Sequence, residues 1–347
     1  MATIPETYDT VEQVVDPTRI AVVIPTCNAA KFWAELNHGL RLQGIPAGQV
    51  LIMDSSSEDG TRELAEEEGY QVHRIERSDF DHGGTRQLAL ELVPWANVVV
   101  YLTQDAILAT PDSLDVLLSA FEDRRVAAAY GRQLPRLGAG PIEAHARHFN
   151  YPPQSDVRDF ESRHRLGFKA AFLSNSFSAY RVSELLEVGG FPSEAIMAED
   201  VIVAGRLLLG GWKTAYVAEA QVYHSHPFKV AEEFRRYFDI GVCHRREAWL
   251  KERFGKVGSE GGRYVRSEFF YLARHGPHLL PLAWLRTITK GLGYQLGLHG
   301  ARVGREWSRR LSYNKSFWDE SSPQGSKDTA AARSGSKLPT SGQIPLS

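Results

Sequence analysis

The sequence predicts an α/β protein: a doubly wound, mostly parallel sheet with helices on both faces, followed by a helical C-terminal extension. Three observations carry this. Val98-Val99-Val100-Tyr101-Leu102 is a continuous apolar run rich in β-branched residues, as a central parallel strand covered on both faces requires. Short apolar runs alternate with helical stretches through residue 122, in the order β-α-β-α-β. Beyond residue 229 the strand-like runs give way to helical stretches with spaced basic residues.

The elements follow in order. Residues 20–24 form the first strand, and Pro25, which cannot donate to a ladder, is expected to stop it. Residues 31–42 are helical and end near Gly44. The second strand, 50–53, ends at Asp54. A polar turn over 55–60 then leads into a helix over 61–68. Residues 71–75 are a third short strand, 84–92 are helical, and 97–103 are the strand that runs into Asp105. A helix over 112–122 follows Pro111. Right-handed crossovers put the strand ends on one rim, where open α/β sheets bind ligands. After residue 126 the rhythm changes. Residues 126–131 and 177–181 read as strands, 132–165 as loop with short helices, and 200–209 as a helix closed by Gly210-Gly211. Two further strands are expected over 213–217 and 220–224, then helices over 230–255 and within 264–312. Residues 321–347, rich in Ser, Gly, Pro and Lys, read as a disordered tail.

A chain of 347 residues, 43% hydrophobic, holds one large domain with an appendage or two domains. The two cysteines, Cys27 and Cys243, exclude a disulfide framework and suit a reducing compartment. The first 19 residues are polar and acidic without a signal-type apolar core, and no window reaches roughly 18 uninterrupted apolar residues. A cytoplasmic protein without a transmembrane helix is therefore expected. The net charge of -2 hides an asymmetry: residues 229–315 hold 18 basic and 8 acidic residues. That third points to an anionic partner, whether phospholipid, diphosphate or nucleic acid.

Five constellations could carry chemistry. Pro25-Thr26-Cys27-Asn28 follows the first strand and suits a nucleotide contact or a helix cap by Asn28. Asp54, ending the second strand, could accept from a base or ribose, or belong to a polar turn. In Asp81-His82-Gly83-Gly84-Thr85-Arg86, the glycines allow close backbone approach, and a helix start with an Arg favours anions; a plain Gly-Gly turn is the alternative. No G-x-G-x-x-G and no Gly-Lys-Ser/Thr is present there, which disfavours a dehydrogenase and a P-loop NTPase. Asp105 cannot hold a divalent cation alone, and His224 and His226, spaced i, i+2, are the candidate companions, or a structural pair. Glu199-Asp200 opens a helix, which suits either the helix dipole or a general base.

Taken in order, these motifs resemble family 2 glycosyltransferases of the GT-A fold over residues 19–228. Phe80-Asp81-His82-Gly83-Gly84-Thr85-Arg86, Tyr101-Leu102-Thr103-Gln104-Asp105-Ala106 and Ala198-Glu199-Asp200 resemble the bacterial rhamnosyltransferase branch more closely. The resemblance implies an inverting transferase using dTDP-L-rhamnose, with a lipid-linked or polysaccharide acceptor and no nucleic acid partner. Transferases using UDP-hexose or UDP-N-acetylhexosamine, and a non-catalytic GT-A-like scaffold, are the alternatives. By the same resemblance Pro25, Thr26, Asn28, Asp54, His82, Gly83, Arg86, Gln104, Asp105 and Glu199 would line the nucleotide-sugar site. Asp105 and His224 would bind Mg2+ or Mn2+, and Asp200 would be the base. The first Asp of the family's Asp-x-Asp motif is replaced here, where the sequence is Thr103-Gln104-Asp105, and Gln104 supplies no charge. The implied organisation is an N-terminal arm (1–18), a GT-A domain (19–228), a basic helical subdomain (229–320) and the tail. The basic helices would either contact the anionic inner face of the cell membrane, or pack on the catalytic domain or form a homo-oligomer.

Overall fold

Nine strands join one mixed sheet in a computed structural model that describes residues 15–193, 195–255, 258–300 and 304–319. The predicted tail and most of the N-terminal arm lie outside the described residues. The strands are β1 (Ile20–Thr26), β2 (Val50–Asp54), β3 (Gln71–Arg74), β4 (Val98–Leu102), β5 (Ile107–Leu108), β6 (Val126–Leu134), β7 (Asp156–Arg158), β8 (Phe177–Arg181) and β9 (Lys213–Tyr223). Their order is β3-β2-β1-β4-β8-β6-β9-β5, with β7 on β9. The half from β3 to β4 is parallel, as is β6 with β9. β8 runs antiparallel between β4 and β6, so its first residues lie beside the C-terminal end of β4 and the middle of β6.

The apolar run of β4 is explained by its two covered faces. Val98, Val100 and Leu102 pack with Ile24, Leu36 and Leu117 on one side. Val99 and Tyr101 pack with Leu90, Tyr180 and Leu207 on the other. Alternate residues of one strand thus enter two different cores.

Three local expectations change. β1 continues through Pro25 to Thr26, because its pairing with β4 ends at Val23 and only β2 flanks it beyond. The two strands expected over 213–224 are one, with a register shift opposite Gly131–Arg132. Gly131 sits there because a Cβ would lie 2.5 Å from the Ala220 carbonyl oxygen. The segment 132–165, expected mostly as loop, contains the ten-residue helix Pro141–Asn150, started by Pro141.

The C-terminal third comprises the helices Val230–Arg246, Ala248–Phe254, Gly258–His275, Leu280–Leu298 and Arg305–Leu311. It packs on the sheet domain through Phe238, Val242, Phe317 and Trp318, which surround Ile196. Asp239 accepts from the backbone N–H groups of Tyr313 (3.0 Å) and Asn314 (2.9 Å), and Asn314 Nδ2 donates to the Ile196 carbonyl at 3.1 Å. The last described segment therefore braces the loop that precedes Glu199-Asp200.

Candidate active site

The C-terminal ends of β1 and β2 build one corner of the rim. Asp54 is buried; its Oδ1 accepts from Thr26 Oγ1 (3.1 Å) and Ser57 Oγ (2.5 Å), and its Oδ2 from Ser57 N–H (3.0 Å). Asn28, at φ 52°, donates its N–H to Ser57 Oγ and accepts from Glu58 N–H, both at 2.9 Å. Thr26, Asn28 and Asp54 are thus brought together, with Pro25 one residue back along β1. Gln104 lies across from them: its Oε1 accepts from Cys27 N–H at 2.7 Å and its Nε2 donates to the Cys27 carbonyl at 3.2 Å. Its amide fastens the loop after β1 to the loop after β4.

The next residue, Asp105, meets both histidines. Its Oδ1 is 3.4 Å from His224 Nε2 and its Oδ2 is 3.5 Å from His226 Nε2. One ligand atom from each of the three residues lies within 4.8 Å of the others. Burial opposes charge on Asp105, but the hydrogen bond to His224 and the charges of both histidines outweigh it and hold its carboxyl well below the usual carboxylate range. Burial pushes His224 down and, helped by the neighbouring His224, pushes His226 down to about 4.

Gln133 at the end of β6 decides the tautomer of His224. Its Oε1 receives Arg147 Nη1, which can only donate, while its Nε2 donates to Ser174 Oγ at 2.9 Å. His224 Nδ1, 2.9 Å from the same Oε1, must therefore carry the ring proton. Nε2 then presents a lone pair toward Asp105. Two acceptors at that distance need a cation between them, a proton or a metal ion. The trio of one carboxylate and two neutral imidazoles, with an outer hydrogen bond fixing one ring, suits a divalent metal.

Ser174 leads to the second group. Asn175 donates its N–H to Asp200 Oδ2 at 3.1 Å and its Nδ2 to Glu199 Oε1 at 3.0 Å. Thr103 N–H donates to the Ser176 carbonyl at 3.2 Å, tying the end of β4 to the same segment. Hydrogen bonds thus run His224–Gln133–Ser174, and the next residue along the chain, Asn175, bonds Asp200. Asp200 is half-buried, and burial together with the Glu199 charge pushes its carboxyl up to about 7. Glu199 is held ionised against burial by Arg86 and His82, with Arg86 Nη1 at 3.0 Å from its Oε1. Ala198, just before the pair, has φ 62°, a left-handed conformation that costs an alanine about 1–3 kcal/mol.

Arg86 is buried and also donates to the His82 carbonyl at 2.7 Å, so its guanidinium is turned to Glu199. Gly83 faces the 190–193 loop: a Cβ would lie 1.8 Å from the Pro192 carbonyl oxygen. Asp81 caps the helix His82–Leu92 by accepting from Gly84 N–H at 2.5 Å. A cavity of about 370 Å3, lined in part by Phe149, Arg158, Lys169 and Tyr216, shares no residue with these groups. Sequence reasoning missed Gln133, Arg147 and Asn175. The polar trio Ser174-Asn175-Ser176 directly before an apolar strand was the available signal for the last.

Residues 21–189 match the model of glycosyl transferase family 2. The chain is 42% identical over 311 residues to the O-antigen chain rhamnosyltransferase RfbN of Salmonella typhimurium, covering 89% of this chain and 99% of that one. The chain belongs to glycosyltransferase family 2. This family 2 enzyme is also 42% identical to the O-antigen chain rhamnosyltransferase WbaN of Salmonella anatum, over 88% of its own length and 98% of the relative's. Among solved structures it is similar to the mannosyltransferase PcManGT of Pyrobaculum calidifontis, in complex with GDP-Man and Mn2+. There the TM-score is 0.50 at 20% identity, and 87% of each chain is covered. That likeness bears on the fold, which is GT-A.

Proposed function

We propose that this glycosyltransferase moves L-rhamnose from dTDP-L-rhamnose to a growing, lipid-linked O-antigen-type glycan, with inversion at the anomeric carbon. One observation carries the reading. A carboxylate–imidazole cluster that could hold a metal and a Glu-Asp pair are joined through Gln133 and the Ser174-Asn175 segment on one rim, in a chain 42% identical to two O-antigen rhamnosyltransferases.

In this reading Asp200, ionised, takes the proton of the acceptor hydroxyl. The acceptor oxygen forms its bond to the anomeric carbon as the bond to the diphosphate oxygen breaks, and that electron pair leaves with dTDP. Charge builds on the ring as in glycoside hydrolysis, and a single displacement inverts the centre. The base is placed by two backbone donors, the N–H groups of Asn175 and Val201, at 3.1 and 2.9 Å. Thr26, Asn28 and Asp54 form the nucleoside corner, with Pro25, Gln104, His82, Gly83 and the Arg86–Glu199 pair supporting the walls. A divalent cation held by Asp105, His224 and His226 would neutralise the leaving diphosphate. Two imidazole ligands favour Mn2+ over Mg2+, which prefers carboxylate and water. Residence at the inner face of the cell membrane belongs to the same reading, since no helix among the described residues is long and apolar enough to cross a bilayer.

The test is a donor panel with a lipid-linked glycan acceptor, reading nucleotide-diphosphate release. dTDP-rhamnose should be the donor consumed, and Asp200→Asn should lose about 10²–10⁴ in rate. Consumption of a UDP-sugar instead would replace the donor assignment. No turnover of any donor would leave a binding scaffold, and undiminished turnover by Asp200→Asn would remove the base.

A further inference from the structure

The helix Leu280–Leu298 is built inside out for water. Its exposed large side chains are Leu282, Trp284, Leu285, Ile288, Leu292 and Leu296, from 36% to 56% exposed. At 100° per residue all but Leu282 fall within one stripe about 120° wide. The helix's two cations point the other way: Arg286 Nε and Lys290 Nζ lie 3.6 and 3.1 Å from the buried Glu233. So do two of its glycines. A Cβ on Gly293 would lie 2.4 Å from the Phe234 carbonyl oxygen, and one on Gly297 2.0 Å from that of Phe238. Both cations and these two glycines therefore face the protein, and leucine, isoleucine and tryptophan face outward.

The neighbouring helix Gly258–His275 exposes Phe269 (44%) and Phe270 (54%) among the exposed cations Arg263, Arg266 and Arg274. The carboxylates on the two helices are Glu260, 2.8 Å from Lys169 and 3.5 Å from Arg263, and Glu268, which is buried. An apolar stripe beside Arg266 and Arg274, which pair with no carboxylate among the described residues, matches a bilayer with an anionic surface. A second copy of this chain would bring the same arginines toward one another.

We propose that the helix Leu280–Leu298 lies in the plane of an anionic phospholipid bilayer, with Trp284, Ile288 and Leu292 inserted below the headgroups and the arginines of Gly258–His275 on the phosphates. This deepens the membrane placement in the proposed function, and its test involves no sugar transfer, so the two fail separately.

The full chain is floated with mixed phosphatidylglycerol–phosphatidylcholine vesicles and with pure phosphatidylcholine, without donor or acceptor. The wild type should rise with the mixed vesicles, and Ile288→Asp/Leu292→Asp should bind at least about tenfold more weakly. Should that variant misfold by circular dichroism, the wild type is compared with Trp284→Phe for fluorescence quenching by brominated lipid, and the quenched fraction should fall. Equal flotation with both vesicle types would overturn the anionic partner. No flotation, or a wild-type dimer in sedimentation that Ile288→Asp/Leu292→Asp converts to monomer, would overturn the bilayer assignment.

Discussion

Gln133→Leu tests the tautomer argument at its narrowest point. The substitution keeps the approximate volume but removes an oxygen that receives both Arg147 Nη1 and His224 Nδ1–H, and an N–H donated to Ser174. Nothing then decides which ring nitrogen of His224 carries the proton, and the ring loses its anchor. Outer-shell partners of this kind are worth about 10–100-fold in metal affinity, which is about 1.4–2.7 kcal/mol. Each buried donor left unmatched adds about 1–3 kcal/mol of lost stability. The assay is Mn2+ titration followed by electron paramagnetic resonance, with and without dTDP, on samples whose fold is checked by melting. Gln133→Glu is the companion, because a carboxylate still accepts from both donors; it should hold Mn2+ much better than Gln133→Leu. Wild-type Mn2+ affinity in folded Gln133→Leu would refute the reasoning, as would a nitrogen NMR spectrum placing the His224 proton on Nε2.

Four other outcomes are expected. As the proposed base Asp200 would have to be ionised, and its carboxyl is pushed up to about 7, so kcat/KM should fall as pH drops through that value. Glu199→Gln removes the neighbouring charge and should move this acid limb to lower pH; a limb that stays or rises contradicts the assignment. The same substitution strips Arg86 of its buried partner, which should cost about 3–5 kcal/mol and be visible in denaturant unfolding. Gly83→Ala puts a methyl group into the Pro192 carbonyl and should destabilise by about 1–3 kcal/mol; an unchanged melting temperature would show that the 190–193 loop gives way freely.

The parallel half of the fold was legible because β1, β2 and β4 are buried on both faces and run into polar residues at the rim. The Val98–Leu102 run, with Asp105 three residues on, announces both burial and rim. Pro25 misled because its effect depends on whether a neighbour strand flanks it, and that is a property of the sheet. The break expected between 217 and 220 is a bulge that needs Gly131 on another strand. In the site, Asp105, His224 and Asp200 carry charge or titrate, so their residue types signal chemistry. Gln133, Arg147 and Asn175 do not stand out, because what they do is set by which atoms face them. His226 was visible as half of a pair, but only the folded chain turns both rings to one carboxylate. The basic C-terminal third was read from its charge count and its mixture of apolar and basic residues. The direction in which Arg286 and Lys290 point was not in that count.

The clamp of Gln104 on Cys27, with the bonds from Asn28 to Ser57 and Glu58, has a kinetic consequence. Ordering a residue's backbone costs about 1–2 kcal/mol of entropy. These loops hold each other through their own hydrogen bonds, so on the proposed role capture of a nucleotide need not freeze them. Encounter with this corner should then be limited by diffusion and charge rather than by loop closure. A nucleotide arriving there would find a rigid socket, and the slow event in a turnover cycle would fall to another part of the molecule.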